Sequence, residues 1–269
     1  MGVVNVTPDS FSDGGLWFDA DAAVAHGLQL LADGADLLDV GGESTRPGAD
    51  RVPEAEERRR VVPVVGELVR AGAVVSVDTM RASVAAEALD AGARLVNDVS
   101  GGLADSSMGE LVARTGTPFV VMHWRGHSHD MQTRAVYGDV VGDVRRELLE
   151  RVDALVAAGV DERRLVLDPG LGFAKTGAHN WSLLAHLDVL VSLGFPVLVA
   201  ASRKRFLGQL LAGPGTDPVP PLERDDASAA VSALSAGQGA WCVRVHDVVS
   251  SAAAVRVAAA WQSARRRDA

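Results

Sequence analysis

Arg164-Leu165-Val166-Leu167-Asp168-Pro169-Gly170 is the stretch on which the reading of the fold turns. Its apolar run is too short for a helix, shows no alternation, and stops on a carboxylate followed at once by Pro-Gly. A strand buried on both faces has this form, whereas a half-solvated antiparallel strand would alternate. Similar runs recur at Gly2–Val6, Asp36–Val40, Ala73–Val77, Arg94–Val99, Pro118–Met122, Pro196–Ala200 and Ala240–Val245. Amphipathic segments lie between them: Asp21–Ala35, Arg81–Ala91, Val141–Ala158, Asp225–Ala236 and Asp247–Gln262 read as helices, several ending at a glycine. Pro53–Arg70 has helical periodicity but contains Pro63, where a kink or a new helical start is expected.

Eight strands alternating with helices predict an α/β protein, a (β/α)8 barrel forming one domain over residues 1–269, with a short basic tail after about residue 262. An open doubly wound sheet shares the alternation. No G-x-G-x-x-G follows the first strand, so a dinucleotide site has no support. The Pro/Gly-rich stretch Gly213–Pro221 reads as a mobile loop between a strand and its helix.

Composition narrows the class. Of 269 residues 48% are hydrophobic and 23% charged, enough for a closed core without staples. A formal charge of −9 argues against a broad basic face for nucleic acid. The one cysteine, Cys242, excludes an internal disulfide and sits in an apolar run, so it reads as core in a reducing, cytoplasmic setting. No uninterrupted run of about 18 apolar residues suggests a membrane span. The chain opens directly on Val3, Val4 and Val6, so either the native start lies upstream or the barrel begins on its first strand.

The polar residues gather where the apolar runs end: Asn5, Asp39, Asp78, Asn97 with Asp98, His123, Asp168, then Ser202-Arg203-Lys204, and Arg244 with His246. In a barrel these C-terminal strand ends open on one face, where the active sites of that fold are built. Helix capping accounts for any one carboxylate or amide but gives no reason for Lys204 or Arg244. Two Gly/Ser/Thr-rich loops follow the first two strands, and their backbone N–H groups and glycines suit anion contact and movement.

Those loops and strand ends carry a resemblance. Asn5-Val6-Thr7-Pro8-Asp9-Ser10-Phe11-Ser12-Asp13-Gly14-Gly15 and Gly41-Gly42-Glu43-Ser44-Thr45-Arg46-Pro47-Gly48 resemble the two signatures of the dihydropteroate synthases. Ser76-Val77-Asp78-Thr79, Asn97-Asp98-Val99-Ser100, Met122-His123, Asp168-Pro169-Gly170-Leu171-Gly172-Phe173, Ser202-Arg203-Lys204 and Arg244-Val245-His246-Asp247 continue the pattern in family order. Met122-His123-Trp124-Arg125 and Arg203-Lys204-Arg205-Phe206 are most similar to actinobacterial members.

The resemblance implies a transferase of folate biosynthesis. It would join p-aminobenzoate to 6-hydroxymethyl-7,8-dihydropterin diphosphate, releasing diphosphate through a cation-like displacement, and it would be a sulfonamide target. It implies that Asp168, Asn97 and Asp78 bind pterin nitrogens and that Lys204 donates to the pterin carbonyl and ring nitrogen. Asp78 would also stabilise the cation. Arg244 and His246, two apart on one side of strand eight, would seat the diphosphate, and with Asp78 and Lys204 they form the expected catalytic set. Asn5 and Asp13 would hold Mg²⁺. Thr45, Arg46, Pro47, Phe11 and Phe173 would form the p-aminobenzoate slot, its carboxylate lying at the start of the helix after strand seven. Many members have Ser directly after the strand-seven Lys; here Arg205 stands there, so a backbone N–H or Arg205 itself must take that carboxylate. His123 reads as a packed, hydrogen-bonded core histidine. The family also implies a homodimer through late helices. Two other readings stay open: a non-catalytic paralogue, and a pterin-binding barrel like the methyltetrahydrofolate–corrinoid methyltransferases. Arg244, His246 and Thr45-Arg46-Pro47 argue against the second.

Overall fold

Among the described residues eight short strands run parallel: β1 (Gly2–Asn5), β2 (Leu38–Gly41), β3 (Val75–Asp78), β4 (Leu95–Asp98), β5 (Phe119–Met122), β6 (Leu165–Asp168), β7 (Leu198–Val199) and β8 (Cys242–Val243). The computed structural model describes residues 1–7, 20–43, 51–126 and 131–267. β1 to β6 pair in chain order, and β7 pairs with β8. Single bridges, Leu167 with Val197 and Gly2 with Val245, join the two sheets at both seams. At the second seam Val3 N–H donates to Val245 O at 3.0 Å and Val245 N–H to Met1 O at 2.9 Å. The sheet therefore closes into a cylinder with no free edge, which excludes the open doubly wound alternative.

Around it lie α1 (Ala20–Ala32), α2 (Glu54–Arg70), α3 (Ala82–Asp90), α4 (Ser107–Thr115), α5 (Val140–Ala157), α6 (Gly177–Ala185), α7 (Leu187–Val191), α8 (Arg205–Ala212), α9 (Asp225–Gly237) and α10 (Val248–Arg267). None of the described helices is long and apolar enough to cross a membrane.

Alternation along each strand sorts side chains between two cores. Phe119, Val121, Leu165, Leu167, Val75, Val77 and Val96 face outward and join the large core between barrel and helices. Leu95, Val120, Val166 and Leu198 face inward and pack with Met1 in a small core inside the cylinder. Cys242 packs against that inner core, half-buried, and burial pushes its thiol pKa up, as suits a structural thiol. Nearest the C-terminal rim the inward positions of β1, β3, β4 and β6 are polar: Asn5, Asp78, Asn97 and Asp168.

The structure corrects several details. Helix α2 runs unbroken through Pro63 rather than restarting there. Val61, Val64, Val65 and Leu68 bind its inner face to the core, while Pro63 lies on the exposed face. The 213–221 stretch links α8 to a 3₁₀ turn at Pro221–Arg224, so it joins two helices and not a strand to a helix. The basic residues after 262 continue α10 to Arg267, and Gln262 Nε2 fastens this end by donating to Gly237 O at 2.5 Å.

Phe119 is fully buried on the outer face of β5. Phe119→Ala is expected to lower the unfolding free energy by about 3–5 kcal/mol in urea titration, because the closed wall around it cannot collapse into the cavity.

Candidate active site

The rim of the barrel is built by the same alternation. Asp78, Asn97 and Asp168 occupy inward positions at the ends of β3, β4 and β6, Arg244 follows β8, and Asp39 lies inward within β2, one layer deeper. Arg244 links three strands: its Nε donates to Asp39 Oδ2 at 2.5 Å and its Nη2 to Asp78 Oδ2 at 2.8 Å. Asn97 Nδ2 donates to the same Asp39 oxygen at 2.8 Å. Gly41, opposite Asp78 in register, leaves room for this approach, since a Cβ there would lie 3.2 Å from Asp78 Cβ. Asp39 is completely buried, and its Oδ1 has no hydrogen-bond partner among the described residues. From sequence Asp39 reads only as the end of a strand. Its signal was a lone carboxylate inside the apolar run Leu37-Leu38-Asp39-Val40. Burial pushes the pKa of Asp78 up; Arg244 opposes this, and the nearby carboxylates of Asp39, Glu57 and Asp98 reinforce it.

Asp168 ends β6 and is almost fully buried. Its Oδ1 accepts the Gly170 N–H at 2.7 Å. Burial raises its pKa, against the pull of Lys204, the Gly170 N–H, Lys175 and Arg244. Lys204 is lowered to about 8, mainly by burial. Its Nζ donates to Leu171 O and stands 4.8 Å from the centre of the Phe173 ring. The turn that delivers Lys204 is strained: Arg203 has a φ of +59°. Three contacts hold it there. Arg203 forks onto Asp225 with two bonds of 2.7 Å, its N–H donates to Ser228 Oγ, and its carbonyl accepts from Arg224 Nη1.

Arg244 and His246 do not form one ready-made cationic seat. Arg244 is engaged by Asp39 and Asp78, whereas His246 Nδ1 lies 3.0 Å from Ser202 Oγ. Arg205 is exposed at the first turn of α8, immediately after Lys204.

Two polar strand-end residues face outward and serve structure. Asp98 Oδ1 accepts from the N–H and Oγ of Ser100, and its Oδ2 from the Gly102 N–H, closing the loop after β4. His123 is buried behind β5, with Nε2 2.9 Å from Glu147 Oε2 and Nδ1 2.9 Å from Lys175 Nζ. Lys175, absent from the sequence reading, is itself buried.

Thr45, Arg46, Pro47, Phe11 and Asp13 lie outside the described residues. On either side of the 44–50 segment, Glu43 Oε1 accepts from Arg51 Nε and Glu43 Oε2 from Arg81 Nη1, both at 2.8 Å. Arg81 also binds buried Glu57 and donates to Val52 O at 2.6 Å. Among the described residues no group of three or more His, Cys, Asp or Glu could hold a metal ion unaided.

Burial, with Lys175 alongside, lowers the His123 pKa to about 4. The unfolded chain takes up this proton near pH 6.5, so acid favours unfolding between about pH 6.5 and 4. Over that window wild-type unfolding free energy should fall by about 3 kcal/mol more than that of a His123→Gln variant, as read from urea titrations at each pH.

A profile of the pterin binding enzymes matches residues 1–246. The dihydropteroate synthase of Mycobacterium leprae is 57% identical over 97% of this chain and 92% of its own. The solved dihydropteroate synthase of Xanthomonas albilineans with 4-aminobenzoic acid superposes with a TM-score of 0.88 at 48% identity, covering 98% of this chain and 92% of that one. The Yersinia pestis enzyme in a sulfonamide drug complex gives 0.90 at 44% identity, covering 97% and 93%. With likeness of this extent over a closed barrel whose matching strand ends meet on one rim, the chain belongs to the dihydropteroate synthases.

Proposed function

We propose that the inward-facing rim residues divide the work of this family's reaction: an acid–amide clamp for the pterin, and cations where diphosphate departs. The chain is a transferase of folate biosynthesis, forming 7,8-dihydropteroate from the pterin diphosphate and p-aminobenzoate. The observation that carries the division of roles is the convergence of Asp78, Asn97, Asp168, Lys204 and Arg244 on one mouth. In the rival readings, a paralogue without activity would be missing part of this set, and a corrinoid-type methyltransferase would have no use for Arg244 here.

In this reading Asp168 accepts from the guanidine-like edge of the pterin, since its Oδ2 takes no hydrogen bond among the described residues. Asn97 is aimed by Asp39, so its amide meets the ring in a fixed orientation. Lys204 sits over Phe173 and donates to the pterin carbonyl. The aniline nitrogen attacks the methylene carbon as the carbon–oxygen bond to diphosphate breaks, and its proton passes to water or to a diphosphate oxygen. Positive charge on the methylene carbon and pterin is favoured by Asp78 and Asp39. Arg244 turns two of its nitrogens to those carboxylates, leaving Nη1 as the group to meet the diphosphate. His246 is steadied by Ser202 and gives a second donor. Arg205 and the first N–H groups of α8 receive the p-aminobenzoate carboxylate beside Lys204. Thr45, Arg46, Pro47 and Phe173 complete that slot.

Asn5 ends β1 on the same rim, half-buried, opposite Gly41. One neutral oxygen fits Mg²⁺, which keeps water and phosphate oxygens in most of its shell. Asn5, with Asp13, would hold it, and the ion would offset charge on the diphosphate.

The same reading takes residues 1–269 as one domain in a cytoplasmic enzyme that works as a homodimer. Val249, Val257 and Trp261 form an exposed apolar stripe along α10, and Leu234 is exposed on neighbouring α9.

Incubated with pterin diphosphate, p-aminobenzoate and Mg²⁺, the protein should release dihydropteroate and diphosphate one to one, and a sulfonamide should compete with p-aminobenzoate. Binding without product would favour the paralogue. Asp168→Asn should weaken pterin binding at least 100-fold by calorimetry. Arg244→Ala should weaken the diphosphate ester more than the free hydroxymethylpterin; equal loss would move Arg244 to the pterin. Val257→Glu with Trp261→Glu should halve the mass seen by sedimentation.

A further inference from the structure

Lys175 lies beneath the pterin clamp and has no role in the reaction as just described. It is 3% exposed, an unusual place for an ammonium. Its Nζ donates to Phe173 O at 3.0 Å and to His123 Nδ1 at 2.9 Å. That contact makes His123 an acceptor at Nδ1, so the ring proton sits on Nε2 and goes to Glu147, which is also gripped by Arg125. The ammonium presses on the turn that holds Asp168. A Cβ on Gly170 would lie 3.3 Å from Lys175 Nζ and only 2.3 Å from His123 O, so the turn closes on these groups only with glycine, at a φ of +66°. The Gly170 N–H is the one that Asp168 accepts. Next to Lys175, Ala174 is strained, with a φ of +47°, and Tyr137 Oη fastens its carbonyl at 3.0 Å.

We propose that Lys175 is a positioning residue for pterin binding: its buried charge, oriented by His123 and Glu147, keeps the Asp168 carboxylate ionised from the side away from substrate and holds the Phe173 backbone in place. The proposal rests on the assignment of Asp168 to the pterin. A structural staple alone would need no charge at this point. Burial lowers the Lys175 pKa to about 7, and Asp168 opposes the shift, so each of the two favours the charged form of the other. The charged and titratable groups around Nζ are Asp168 from β6, Lys204 before α8, His123 and Arg125 after β5, Glu147 from α5, and the Tyr137 ring 6.0 Å away.

The test is the affinity of the full chain for 6-hydroxymethylpterin, titrated from pH 5.5 to 9. Lys175→Met should weaken binding by up to about tenfold on the acid side and move the acid limb upward by about a pH unit, with affinity recovering as pH rises. Lys175→Arg should restore most of it. Loss that is equal at every pH, or an unmoved acid limb, overturns the proposal. Should Lys175→Met fail to fold, Glu147→Gln decides, since it keeps the bond from His123 and removes a charge that supports the ammonium. Its alkaline limb should move to lower pH, and an unmoved limb overturns the proposal. Asp168→Asn separates the two levels. If it binds pterin like wild type, the site assignment fails. If it loses binding while Lys175→Met does not, only the role of Lys175 fails.

Discussion

Closure of the sheet, by Val245 on Gly2 and Val197 on Leu167, is the constraint from which the rest follows. Once the cylinder is shut, alternate residues have only two destinations, the narrow interior or the layer beneath the helices. Asp39, Asp78, Asn97, Asp168 and Arg244 all fall on interior parity at the same end. They cannot avoid one another, and the three carboxylates need cations beside them. Arg244 between Asp39 and Asp78 supplies part of that charge, assembled from β2, β3 and the end of β8.

The electrostatics of the mouth are set by a contest between burial and neighbours. Burial alone would neutralise carboxylates and ammonium groups alike. Asp168 is surrounded by Lys204, Lys175, Arg244 and a backbone N–H, and Lys204 by Asp168 and Asp78. Acids and bases placed together in this way hold each other's charge in a dry site, where hydrogen bonds to a flat heterocycle are strongest. Backbone strain is spent on the same end. Among the described residues the two non-glycine positions with positive φ, Ala174 and Arg203, flank Lys175 and Lys204, and each is tied down by side chains from other elements.

Outside the mouth, the same parity gives polar strand-end residues a different task. Asp98 and His123 are one residue away from Asn97 and Met122, yet they face the helices, close loops and bind Glu147. The alternation that separates them from the ligand-facing set was present in Leu95-Val96-Asn97-Asp98 all along. It becomes decisive only when one knows which parity is inside.

The order of strands and helices and the gathering of polar residues at strand ends were legible in the chain, because each depends on local periodicity and on where an apolar run stops; that periodicity fits a barrel and an open sheet alike, and closure chose the barrel. The short helices α4, α6 and α7 were not legible, since stretches so short carry little periodic signal. The unbroken path of α2 through Pro63 depends on a buried stripe that only packing reveals. Pairing was hidden for the same reason. Asp39 and Arg244 lie 205 residues apart, and Lys175 and His123 lie 52 apart. Sequence by itself determined which residues could carry charge at the ends of strands. Tertiary structure alone decided which charges meet, because a contact between distant strands depends on the register and closure of the whole barrel and on no neighbouring residue.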